Sequence, residues 1–328
     1  MEIGKLSNEV LKELVLDKIL STRPEVVLRP GIGEDCSVVD LKDKLCVLSS
    51  DPITGAVNHI GRLAVHVSCN DIASSGAEPL GLLVTLLAPP DAEKKDIEKI
   101  MEQLCHTANM LNVDIIGGHT EITDAVNRFV ICSTCIGKVA AEKLVTSSGA
   151  TADSFLVLTK YAGLEGTSIL AHDLEDKLSD VLGHELLERA KGFINEVSVV
   201  KEGLMAANYG VDAMHDVTEG GVLGAVWEMC EASGVGAVIY KDSIPIDDVT
   251  LKICNHLKIN PLKLISSGSM LIACRKPDGL VALLKEHGIN ASVIGKTTRE
   301  KEKIIIEDGK AKAITPPTAD ELYKAIGS

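Results

Sequence analysis

The sequence predicts two α/β domains in series, each a mixed sheet packed with helices. Three observations carry this. Helical and strand-like hydrophobic periods alternate along the chain, the pattern of helices laid on a mixed sheet. The alternation pauses once, across the polar stretch 139–153 with its Gly149, and then restarts. The core must also be aliphatic, since 45% of the 328 residues are hydrophobic and only 2% aromatic. Branched aliphatic residues suit buried strands. The length allows two compact domains, each with its own core. The pause divides them into residues 1–140 and 150–328.

In the first half, Ser7 caps a helix whose Leu11, Leu14, Val15 and Ile19 recur at helical spacing until Pro24. A glycine–acidic turn follows, Gly31-Ile32-Gly33-Glu34-Asp35, then a strand over 46–50 that ends on Asp51 and Pro52. The spacing predicts a helix over 60–75 closed by Gly76. Pro79 introduces a strand over 80–87. Asp91 caps an amphipathic helix carrying Ile97, Ile100, Met101, Leu104, Ala108 and Leu111. A strand over 113–116, a turn at Gly117-Gly118-His119-Thr120-Glu121 and a strand over 129–136 complete this half.

In the second half a strand over 155–159 leads through Gly163 and Gly166 into a helix, and two more helices precede a short strand at 213–215. The turn 216–221 opens a helix over 222–232. Strands are expected over 235–240, 269–274, 292–295 and 303–307, with helices between them and a last helix over 318–326 behind Pro316-Pro317. The chain has no tandem repeat and no low-complexity tract.

Composition excludes several functions. Net charge is 33 − 47 = −14 with no basic cluster, and nucleic-acid binding needs a Lys/Arg patch. No apolar run is long enough to cross a bilayer, and residues 1–5 lack a signal-peptide pattern. Nine cysteines without framework spacing suit a reducing, cytoplasmic setting. Cys132 and Cys135 lie three apart in a strand, so they point to opposite faces and read as core residues rather than metal ligands.

The residues that could carry chemistry are acids in tight turns or at strand ends. Asp35 follows two glycines, Asp51 ends a strand, Glu121 follows a glycine pair, and Asp216 precedes Thr218-Glu219-Gly220-Gly221. Carboxylates are what magnesium needs, and glycine backbone N–H groups can approach phosphate oxygens closely, helped by a helix start after Gly221. Each site alone is better explained by turn conformation, for which Asp and Gly are the commonest residues. Asp71 differs, because it sits within a helix among Leu63, Ala64 and Val67. A buried carboxylate there calls for a cation partner. His66 and Asn70 lie one turn apart, and His66 reads as a hydrogen-bonded core histidine. For His119, ligand contact and a plain turn role are both open. Lys160 and Lys263 read as solvated surface. No P-loop, dinucleotide, zinc-protease or nucleophile-elbow pattern occurs.

Taken in order, these motifs resemble the aminoimidazole-ribonucleotide (AIR) synthase, or PurM-like, superfamily over nearly the whole chain. The strongest match is Gly61-Arg62-Leu63-Ala64 through Asn70-Asp71-Ile72-Ala73-Ser74-Ser75-Gly76-Ala77-Glu78-Pro79. Around it stand the 31–36 opening, Ser49-Ser50-Asp51, the 117–121 stretch, Asp216-Val217-Thr218-Glu219-Gly220-Gly221, and Asn260-Pro261-Leu262 with Ser266-Ser267-Gly268. The resemblance implies a PurM-like N-terminal α/β domain that makes a homodimer through its sheet, and a PurM-like C-terminal α+β domain. It implies ATP in the cleft between them, with Mg2+ on Asp35, Asp51, Asp71 and Asp216. Gly31, Gly33, Asn70, Gly117, Gly118, His119, Thr120, Glu121, Gly220 and Gly221 are the implied cofactor contacts. No acid or base is assigned. The implied chemistry is phosphorylation of an oxygen by ATP, which needs positioning and charge neutralisation more than a protein nucleophile.

The pattern is most similar to the HypE branch, which implies activation of a small amide or carbamoyl substrate and metalloenzyme-maturation proteins as partners. HypE uses a C-terminal cysteine. Here the last cysteine is Cys274, in an expected strand, and residues 321–328 hold none, so that self-carried reaction is not expected. His119 stands where relatives often have Asp, and Glu219 where HypE commonly has Arg. A small-molecule kinase of the thiamine-monophosphate type, or a nucleotide-binding partner without turnover, is the alternative.

Overall fold

The computed structural model describes residues 26–28, 31–34, 36–54 and 59–327, together with Asn8 and Lys12. The opening helix expected at 7–24, apart from those two helical residues, and Asp35 lie outside the described residues.

Six strands form the first sheet: β1 (Val26–Leu28), β2 (Ser37–Asp40), β3 (Leu45–Ile53), β4 (Glu78–Ala88), β5 (Asp114–Ile122) and β6 (Val130–Val139). Their order is β1-β2-β3-β6-β4-β5, antiparallel except for the parallel β4–β5 pair. Helices α1 (Ile60–Ser74) and α2 (Lys94–Met110) bury Ala64, Cys69, Ile72, Ile100 and Leu104 against Val47, Leu82, Leu86, Ile131 and Cys135 of the sheet. In β3, Leu45, Val47, Ser49 and Asp51 recur with period two, so one face of the strand turns from apolar to acidic along its length.

Seven strands form the second sheet: β7 (Phe155–Thr159), β8 (Ala213–Asp216), β9 (Gly236–Tyr240), β10 (Met270–Cys274), β11 (Ala291–Thr298), β12 (Lys303–Glu307) and β13 (Lys310–Ala313), in the order β13-β12-β9-β11-β7-β10-β8. Its helices are α3 (Leu164–Asp173), α4 (Glu175–Gly192), α5 (Val200–Tyr209), α6 (Gly221–Ser233), α7 (Asp248–Leu257), α8 (Pro277–Glu286) and α9 (Glu321–Ile326). Leu156, Leu158, Leu271 and Ala273 pack toward α6, while Val157, Met270, Ile272 and Cys274 pack toward α5 and α8. Both faces of β7 and β10 are covered, which is why these strands read as unbroken apolar runs.

Helix α1 holds the two halves together. Nearly every residue of it is buried, the condition of a helix packed on all sides. One side lies on the first sheet, and the other meets α5 and the edge strand β8 of the second. Gly203 of α5 fits against it so closely that an added Cβ would lie 2.9 Å from the Ala73 carbonyl carbon.

Three expectations need correction, and one further strand joins the second sheet. Residues 117–121 are not a turn: β5 runs straight through them beside β4, with a bulge opposite Leu82 and Leu83. Gly118 has φ +148°, and a Cβ there would strike the Val84 carbonyl, so the glycines serve close strand packing. The cap of α2 is Glu93 rather than Asp91, in a reciprocal capping box with Asp96. The last helix starts at Glu321 on an Asp320 cap. Strand β13, unforeseen, closes a hairpin with β12 at Asp308-Gly309.

Candidate functional site at the domain seam

The seam brings together Asp51 and Asp71. In β3, Ser49 and Asp51 share the face covered by α1, and the Ser49 hydroxyl lies 3.2 Å from Asp51 Oδ2 while donating to Asp71 Oδ2 in a shorter bond. Asp71 is buried, 7% exposed. A serine has one proton to donate, and here two carboxylates compete for it. Such a set of hard oxygens fits a divalent cation. Around it the seam is lined by small polar groups: Ser133 Oγ donates to the Ala64 carbonyl at 2.8 Å, Cys36 Sγ to the Asp71 carbonyl at 3.0 Å, and Ser74 Oγ to the same carbonyl at 2.7 Å.

Asp216 ends β8, the strand against which α1 packs, and is fully buried. Its neighbour His215 hydrogen-bonds Glu228 of α6, Nε2 to Oε2 at 3.1 Å. Gly33 is seated on α6, where an added Cβ would lie 2.8 Å from the Glu228 carbonyl. The glycine turn of the first half therefore rests, through Gly33, on the helix that the 216–221 turn opens, and Gly33, Gly220 and Gly221 border the same helix or its turn. Among the described residues no three His, Cys, Asp or Glu converge closely enough to hold a metal ion. The structure gathers two of the four expected aspartates, places Asp216 at the end of β8, and leaves Asp35 outside the described residues.

The remaining expected contacts lie elsewhere or are already engaged. Asn70, fully buried, donates from Nδ2 to the Val197 carbonyl at 2.7 Å and accepts from the Val199 N–H at 2.8 Å. Both ends of the amide bind backbone of the second domain, so Asn70 ties the halves together. Gly117, Gly118, His119, Thr120 and Glu121 lie on the exposed edge strand, where His119 Nε2 is 3.6 Å from Glu121 Oε2. Three strand spacings separate β5 from β3, about 14 Å, so the fold of the chain does not bring them to Asp51.

His66 is buried and pushed down to about 4, by burial first and then by Arg62 and Lys160. Lys160, expected on the surface, is largely buried instead. Its ammonium donates to the carbonyls of Glu196 (3.1 Å), Ser198 (2.7 Å) and Gly268 (3.0 Å) and pairs with Glu202 at 2.7 Å. Its positive φ of 52° left no readable mark in the sequence. Cys274 lies inside β10 with its thiol pushed up to about 11 by burial, a core residue.

A two-domain fold with a carboxylate pair at the seam defines a class, and family models identify it. Residues 33–139 match the N-terminal domain, and residues 151–307 the C-terminal domain, of AIR synthase related protein. The chain belongs to that family. It is 33% identical over 318 residues to a hydrogenase expression/formation protein of Methanocaldococcus jannaschii, covering 91% of each chain. It is 27% identical over 263 residues to the carbamoyl dehydratase HypE of Cupriavidus necator, covering 76% of this chain and 69% of that one. A crystal structure of the hydrogenase maturation protein HypE in complex with ATP shares the fold, with a TM-score of 0.69 at 19% identity, covering 98% and 97% of the two chains. Among the described residues no helix is long and apolar enough to cross a membrane.

Proposed function

We propose that this chain is a HypE-like, ATP-dependent enzyme that activates a small amide or carbamoyl substrate by phosphoryl transfer in the cleft between its domains. The observation that carries the reading is the Asp51–Ser49–Asp71 cluster, where a carboxylate of β3 and one of the buried helix α1 share one hydroxyl proton at the seam. Asp51 and Asp71 would hold magnesium, with Asp35 and Asp216 as further members of the set. When bound, the ion neutralises charge on the transferring phosphoryl group. The chain's own groups do the rest. The glycine turns around Gly31, Gly33, Gly220 and Gly221 let phosphate approach the backbone closely; the Gly220 and Gly221 N–H groups are engaged by Asp320 and the Thr218 carbonyl, so the N-terminus of α6 behind them offers its positive dipole end to phosphate oxygens. The Asn70 tie joins the two cleft walls, and Lys160 braces the 196–202 segment of the second wall to which Asn70 binds, which is the positioning such transfers depend on.

Homodimerisation through the first sheet is part of the same proposal. Among the described residues edge strand β5 has no strand on its outer side, and Leu80, Leu83, Ile116 and Ile122 are exposed on the β4–β5 end of the sheet. Exposed apolar strand edges seek a partner. The names of the relatives support metalloenzyme-maturation proteins as partners.

The test is magnesium-dependent ATP binding by calorimetry, followed by hydrolysis with candidate amide and carbamoyl acceptors. Asp51→Asn and Asp71→Asn are expected to weaken binding at least roughly tenfold, the loss of one charge-assisted contact. Wild-type protein that binds no nucleotide at millimolar magnesium would rule the proposal out.

A further inference from the structure

The C-terminal segment 314–326 crosses back from β13 onto the turn 216–221 and touches it at consecutive residues. Tyr323 donates its hydroxyl to Glu219 Oε1 at 3.1 Å. The Gly220 N–H donates to Asp320 Oδ2 at 2.8 Å. The other oxygen, Oδ1, accepts from the N–H of Leu322 at 2.8 Å, the helix cap, and from the N–H of Ile265 at 3.1 Å. Asp320 is 1% exposed.

Sterics confine the turn from both sides. Gly220 and Gly221 both have positive φ, +87° and +61°, a pair of left-handed residues that only glycine adopts readily. A Cβ on Gly220 would lie 2.9 Å from Pro317 Cβ, and one on Gly221 would lie 2.7 Å from the Leu262 carbonyl and 2.8 Å from that of Leu264. The turn is a slot between residues 262–264 and the C-terminal segment, with its N–H groups set by what borders it.

We propose that the C-terminal segment is a strap that shapes the 216–221 turn for its ligand, with Asp320 as the positioning residue that fixes the Gly220 peptide. This rests on the proposed nucleotide site for its consequence, though not for its geometry. The two oxygens of Asp320 divide the labour. Oδ1 serves the helix cap and the 265 backbone, and Oδ2 serves the turn alone. Burial raises Asp320 to about 6 while the three N–H donors pull it down, so at about pH 8 the carboxylate is charged and accepts all three.

Asp320→Asn separates the roles. Asparagine caps helices as well as aspartate, and two donors facing Oδ1 hold its amide oxygen there, which turns the NH2 toward the Gly220 N–H. The expected result at about pH 8 is a folded protein whose urea midpoint falls, because the buried Gly220 N–H loses its acceptor. Amide exchange at 219–221 speeds up roughly tenfold, and magnesium-ATP affinity falls by a similar factor. Protection in β11 falls by no more than the lowered midpoint accounts for. Tyr323→Phe, which removes only the Glu219 contact, gives a smaller loss of about threefold. Unchanged exchange at 219–221 in folded Asp320→Asn protein overturns the strap. If Asp320→Asn does not fold, unchanged exchange at 219–221 in Tyr323→Phe overturns it instead. If wild-type protein binds no nucleotide, the proposed function fails by itself and the exchange data alone decide the strap.

Discussion

Replacing Asn70 with alanine tests whether this residue ties the domains or contacts a ligand. The side chain makes two short hydrogen bonds to the Val197 carbonyl and the Val199 N–H, and Asn70, Val197 and Val199 are all fully buried. The substitution leaves both backbone groups without their partner in a space too small for ready hydration. Each orphaned group costs about 1–3 kcal/mol, so the loss for the two is roughly 2–6 kcal/mol. Urea denaturation without nucleotide reads it, since ligand would add its own stabilisation. Trp227, the one tryptophan, packs on the second domain's core and reports that half by fluorescence, while circular dichroism reports both. Asn70→Asp is a sharper control. It keeps an acceptor for Val199 but sets a carboxylate oxygen against the Val197 carbonyl, so it is expected to be no better than alanine. A stability for Asn70→Ala within about 1 kcal/mol of wild type, with ATP affinity lost, would refute the tie and restore Asn70 to the ligand site.

Two other predictions concern pH and assembly. His66 falls from 6.5 to about 4 on folding, so its neutral form is built in; the stability it contributes is complete above 6.5 and is lost as pH falls toward 4. Glu165 has the opposite sign: burial raises it from 4.5 to about 7, so stability is lost as pH rises through that range. Between 4.5 and 6.5 the two slopes, about 1.4 kcal/mol per pH unit each, offset one another. Glu165→Gln should therefore make stability climb with pH across that window, and a slope unchanged from wild type in urea titrations at several pH values would contradict the assignment. For assembly, Ile116→Lys with Ile122→Lys on β5 is expected to convert a dimer to folded monomer in light scattering, whereas a dimer of unchanged stability would place the interface elsewhere.

The strand and helix periods were legible because they report packing, and most packing here is regular. The strands at 155–159 and 303–307 carry the expected bounds because each is flanked by turn residues. The 117–121 stretch misled because two glycines signal a turn by local rules, whereas the parallel neighbour β4 comes from more than thirty residues away and its close approach is what the glycines serve. Asp71 was legible as an oddity, a carboxylate within an apolar helix. Asn70, Lys160 and Asp320 were not legible in their actual roles, since each binds backbone groups remote in sequence. Backbone acceptors carry no residue identity, so no side-chain pattern points to them.

The seam and the carboxylate pair are one device, because Asn70 and Asp71 are consecutive in a helix. Successive residues of a helix project about 100° apart. Asn70 thereby faces the backbone of the second domain while Asp71 faces Ser49 of the first sheet. A displacement of the 197–199 segment would rotate or tilt the same helical turn that holds Asp71, and α1 is packed on all sides, so it cannot absorb the shift by bending into open space. Domain closure and the geometry of the Asp51–Asp71 pair are then mechanically linked. The helix is buried throughout because it has two partners, and the carboxylate within it stands where those partners meet.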